Sequence, residues 1–98
     1  MSNNKEQHSL EADKNVMMTL SALAKVKPVC VITAIEFSDS VSVGDGLIKY
    51  RSANTLVFTL DTNERFGIEI SDRFEALRQF KYIEYLLEQG GGKIKLQP

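Results

Sequence analysis

Between Thr55 and Ile70 the chain carries two runs in which every second residue is apolar, Leu56, Phe58 and Leu60 in the first and Phe66, Ile68 and Ile70 in the second. A period of two marks a strand with one buried face, because successive side chains point to opposite sides. Two such runs so close together predict a β-hairpin, and the faces then fix the loop length. Opposed residues share a face, so a two-residue loop at Thr62 and Asn63 would set Leu60 against Arg65 and mismatch the sides. A three-residue loop restores the match. Asp61-Thr62-Asn63 suits it, with Asn63 in the left-handed conformation that asparagine tolerates.

Upstream, Val29 to Phe37 is β-branched and apolar at both parities through Ala34, the pattern of a central strand covered on both sides at one end. Ser38 to Gly46 then reads as a loop or irregular edge, and Leu47 to Arg51 as a further short strand. Two helices flank these strands. Ser9 is positioned to cap the first, which runs to about Lys27 and stops at Pro28. Its apolar arc collects Leu10, Val16, Met17, Leu20, Leu23 and Ala24, while Met18 points away. The second opens at Asp72, with Glu75 three residues on as in a capping box, and ends at about Gln89 before Gly90-Gly91-Gly92. Lys93 to Gln97 alternates and adds a last short strand, whose lysines help protect a sheet edge.

The expected fold is a two-layer α+β domain, with a mostly antiparallel meander sheet and the N-terminal and C-terminal helices on one face. Its order is α-β-β-β-(β)-α-β. Residues 1 to 8 are expected to be a mobile tail, with one domain over 9–98. A chain of 98 residues has room for one core and not two, and its 43% apolar and 26% charged content is ordinary for a folded chain.

Charge narrows the functional classes. Lysine and arginine number 12 against 13 acidic residues, evenly balanced in the two halves, which argues against nucleic-acid and membrane-surface binding. No apolar stretch suggests a signal peptide or membrane span, so a cytoplasmic location is expected. Cys30, the only cysteine, lies in an apolar run and reads as a small core residue.

No catalytic residue, metal ligand set or cofactor site is assigned. The one histidine, His8, lies far in sequence from Cys30, which leaves nucleophile chemistry without a base and zinc without its usual ligands. Gly44-Asp45-Gly46 precedes a strand, and Gly90-Gly91-Gly92-Lys93 follows a helix without the serine or threonine of a P-loop, so neither cradles phosphate. Asp39, Ser40, Ser42 and Asp45 lack calcium-loop spacing. Glu84 and Glu88 read as carboxylates on a solvated helix face.

One pattern stands out in the second helix. Ala76, Leu77, Phe80, Ile83 and Leu87 share the arc assigned to the core, whereas Arg78, Tyr82 and Tyr85 form an i, i+4, i+7 stripe almost opposite, with Phe74 at its N-terminal end. Arginine and tyrosine are enriched at interface hot spots because they combine contact area with hydrogen bonds. The plain alternative is that the tyrosines cover flanking core with their hydroxyls in water. Lys49, Tyr50 and Arg51 make a weaker cluster suited to a phosphate or a base, or simply a strand end. The expected function is a small non-enzymatic interaction protein, an inhibitor, adaptor, chaperone or immunity-type partner that binds another protein or a second copy of itself. The alternative is a regulatory module that binds nucleic acid or a small ligand through its sheet face or the 38–46 loop.

Overall fold

A computed structural model describes residues 2–43 and 49–97, with side chains over 14–40 and 53–97. Helix α1 (Ser2–Val26) leads into strand β1 (Cys30–Val43), followed by β2 (Lys49–Leu60), β3 (Arg65–Glu69), helix α2 (Arg73–Gln89) and strand β4 (Ile94–Leu96). The four strands form one sheet in the order β3-β2-β1-β4, with every pair antiparallel. The fold is α+β as expected, and the C-terminal strand joins the sheet at the edge of β1. No helix among the described residues is long and apolar enough to cross a membrane.

The β2–β3 hairpin has the predicted loop. Phe58 pairs with Phe66 and Leu56 with Ile68, and the Leu60 amide donates to the Glu64 carbonyl at 2.9 Å, which leaves Asp61, Thr62 and Asn63 as the turn. Asn63 has φ 70°, the left-handed value such a turn requires. The turn is tied to β1 by the Asp61 amide, 2.9 Å from the Val31 carbonyl.

Strand β1 departs from the expected reading in two ways. Its two apolar parities do not arise from cover on both faces. A bulge between Ile32 and Ala34 puts an extra residue into β1, so Cys30 and Ile32 face the core before it and Ile35 after it, while Thr33 is exposed. The strand also continues through Ser38 to Val43, where a loop was expected, because β2 pairs with it as far as Val43↔Lys49. A second irregularity between Ser38 and Ser40 falls where β2 passes Ala53 and Asn54, and β2 is one strand across both segments predicted for it. Gly44 to Gly46 and Leu47 lie outside the described residues.

Helix α1 begins at Ser2, before the cap expected at Ser9. Among the residues of α1 whose side chains are described, 14–26, the buried ones are Val16, Thr19, Leu20 and Leu23. Met17 is 60% exposed and joins Met18 in solvent, which corrects its assignment to the core. The side chain of Leu10 lies outside the described residues.

Both helices contribute to one hydrophobic cluster over the sheet, in which Phe58, Leu56, Ile32, Leu60 and Ile83 are almost wholly enclosed. Phe80 packs against the cluster from α2, but Leu77, expected in the core, is only partly buried and lies outside it. Asp72 caps α2 as predicted, its carboxylate accepting the Glu75 amide at 2.9 Å. The helix ends at Gly90, where any side chain would collide with the Lys93 carbonyl, and Gly91 and Gly92 then take left-handed φ values of 70° and 89°.

Candidate functional site

Helix α2 presents three environments around its circumference. The inward arc buries Ala76, Ile83 and Leu87. The arc opposite keeps Phe74 83% exposed at the first turn and Tyr85 53% exposed three turns on. Arg78 shares the outward arc, and Tyr82, the remaining residue of the stripe, is turned toward the core. Tyr82 is half-buried, packs its ring against the core cluster and stacks on Tyr85 with ring centroids 6.4 Å apart. The structure therefore brings the four stripe residues onto one side of α2, with Phe74 and Tyr85 exposed and Tyr82 shared between surface and core.

Arg78 is not a loose cation. Its Nε donates to Glu75 Oε1 at 2.8 Å and a terminal nitrogen donates to Oε2, a two-point pair that fixes the planar guanidinium on the helix surface. That pair holds the Glu75 carboxyl below its usual range, with Gln79 and Asn15 assisting against partial desolvation, and it raises the already high Arg78 value. A rigid donor beside two aromatic rings loses less freedom on contact than a mobile one does.

Sequence reasoning missed the flank of α2 that meets α1. Gln79 is buried, accepts the Thr19 hydroxyl at 2.5 Å on its Oε1, and donates from Nε2 to Glu75 at 2.8 Å. Thr19 also reaches the Asn15 carbonyl at 3.2 Å. These groups line a cleft of about 340 Å³ between the two helices and the β3–α2 connection. Here polar groups satisfy one another inside a helix junction, as buried hydrogen-bonding atoms must. A signal was present: Thr19 and Gln79 border the apolar arcs of two helices expected on the same face of the sheet.

The second cluster, Lys49, Tyr50 and Arg51, sits at the start of β2, opposite Val43, Ser42 and Val41 of β1, and its side chains lie outside the described residues. The sheet face away from the helices carries an exposed ion pair between Arg65 and Glu36 at 3.2 Å and the exposed carboxylate of Glu69. Cys30 is buried, and loss of solvent together with the Asp61 carboxylate raises its thiol pKa, so it resists forming the reactive thiolate. Comparison of the chain with protein-family models, curated proteins and solved structures gave no match in any of the three.

Proposed function

We propose that this chain is a small non-enzymatic interaction protein that binds another protein through the solvent side of α2, with Phe74, Arg78, Tyr82 and Tyr85 as the contact residues. It would act in the cytoplasm as an inhibitor, adaptor, chaperone or immunity-type partner. The observation that carries the reading is the pairing of an almost fully exposed Phe74 with an exposed Tyr85 on the arc that also bears the clamped Arg78. Burying a phenylalanine gains about 1.5–3 kcal/mol, so a partner that covers this arc recovers a driving force that folding leaves unused. The tyrosine stack and the Glu75–Arg78 pair add preformed geometry.

The test is a Phe74→Ala, Arg78→Ala, Tyr85→Ala triple variant, used beside the wild type to capture and titrate a protein partner. Tyr82 is left intact because it also supports the core. The variant should keep its fold and weaken association by at least about a hundredfold, since hot-spot truncations cost about 2 kcal/mol or more each. Unchanged affinity in a folded variant would remove this arc from consideration. Salt-sensitive binding to random nucleic acid, retained by the variant, would favour the regulatory alternative instead.

A further inference from the structure

Strand β1 has a protected edge over part of its length and an open one over the rest. On the side away from β2, strand β4 pairs with Cys30, Val31 and Ile32 only. The chain leading into β4 comes off α2 through Gly91 and Gly92, so beyond Ile32 no strand among the described residues pairs with this edge. From Ala34 to Ser38, β1 remains in regular register with β2, which holds it extended while the backbone groups of its other edge have no strand to bond. The receptive stretch has defined limits. The Ile32/Ala34 bulge closes one end, and at the other the Ser38/Ser40 irregularity breaks the register while the Ser38 hydroxyl occupies the Ser40 carbonyl at 2.8 Å.

Beside the first of these limits lies a cavity of about 360 Å³, lined by Ala34, Ile35 and Leu87 with Glu84 and Glu88. Ile35 and Leu87 supply an apolar floor for a side-chain stem, and Ala34 lines the cavity from the strand edge. Glu84 and Glu88, one turn apart on α2, are both exposed, and neither has an ion-pair partner among the described residues. An apolar floor under two carboxylates suits a lysine or arginine, whose methylenes can lie on the floor while the charge meets the acids.

We propose that the open edge of β1 from Ala34 to Ser38 takes up an extended, basic segment of another protein as an added strand, with a lysine or arginine of that segment in the cavity beneath Glu84 and Glu88. Main-chain hydrogen bonds supply the affinity and the acidic cavity selects the sequence, as in other strand-addition complexes. This site does not depend on Phe74 or Tyr85 and adds a second surface to the molecule.

The probe is a capped heptapeptide, Lys-Thr-Lys-Val-Lys-Thr-Lys, added to the whole chain while backbone amide exchange is followed residue by residue. Saturable binding should slow exchange at alternate amides between Ala34 and Ser38, those that point to the open edge. A Glu84→Lys, Glu88→Lys double variant should weaken binding at least about tenfold, and Glu84→Gln, Glu88→Gln by less, because reversal adds repulsion that neutralisation does not. No binding, protection confined to other residues, equal affinity for the same peptide with glutamate in place of lysine, or no response to charge reversal in a folded variant would each overturn the proposal. So would a concentration-dependent dimer that protects the same amides and ignores the peptide, which would assign the edge to a second copy of this chain.

Discussion

The two flanks of α2 are both acidic, and they are built on opposite terms. On the flank that meets α1, the Glu75 carboxylate is bound by Arg78 and Gln79, and Gln79 is closed in turn by Thr19. On the flank that meets β1, Glu84 and Glu88 stand over an apolar cavity beside an open strand edge. The difference separates polar groups spent on holding the fold from polar groups still available to something outside it. Buried polar atoms are expensive unless paired, so the first flank should be intolerant of change. Exposed and unpaired carboxylates contribute little to folding and should be replaceable.

Substitutions along α2 sharpen or break this contrast. Ile83→Ala, on the fully enclosed arc, should cost about 2–5 kcal/mol in urea unfolding, and a loss under about 1 kcal/mol would mean the core is not where the structure puts it. Gln79→Ala should cost about 1–3 kcal/mol, because Thr19 then keeps a buried hydroxyl with a weakened set of partners.

Glu75→Gln should cost about 1–2 kcal/mol at pH 7, a discounted value because the carboxylate is partly exposed. The sign follows from the lowered folded-state pKa of Glu75. The carboxylate contributes its stability above the unfolded value of about 4.3 and loses it as pH falls through the folded value. Wild type and variant should therefore converge as pH falls through the folded value, and a gap that persists in acid below it would show that the pairing is not ionic.

The contact arc comes next. Phe74→Ala with Tyr85→Ala should change stability by less than about 1 kcal/mol, since Phe74 is almost wholly in water and Tyr85 touches only the outer side of Tyr82. A larger loss, read from the same unfolding curves, would place them in the core and withdraw them from the proposed interface. Smallest of all, Glu84→Gln with Glu88→Gln should stay within about 0.5 kcal/mol of wild type. Comparable losses from the two flanks would erase the distinction between them.

Several features of the fold could be read directly from residue order, and the failures have physical causes. The hairpin loop was legible because strict alternation leaves only one register that keeps Leu56, Phe58, Phe66 and Ile68 on one side. The Asp72 cap was legible because the side chain acts on its own neighbourhood. Ser38 to Val43 was not, because its serines carry no strong strand preference and the segment is held extended by pairing with residues of β2 far along the chain. Met17 misled because a helical wheel gives direction but not the width of the neighbouring surface, and the sheet under α1 reaches Val16, Leu20 and Leu23 without reaching Met17. Of the stripe, the outward direction of Phe74 and Tyr85 was legible, whereas the partial burial of Tyr82 depends on how far the core extends around α2. Glu84 and Glu88 were read as an ordinary solvated pair because their interest lies in Ala34 and the strand edge across from them, and sequence spacing carries no trace of that neighbour.

The bulge between Ile32 and Ala34 gives β1 something like a reading frame. Three steps rather than two separate Ile32 from Ile35, so the strand is written in two phases joined by a single extra residue. Removing Thr33 would leave a more regular alternating sequence. The pairs on either side would keep their partners, Ile32 opposite Leu60 and Ala34 opposite Thr59, and the strand would lose only the local bend and added twist of the bulge. Deletion should therefore be better tolerated at this solvent-exposed threonine than elsewhere in β1, where one lost residue would turn the following side chains to the opposite face. In a lineage of such chains this is the place in β1 where length could change without turning the rest of the strand over.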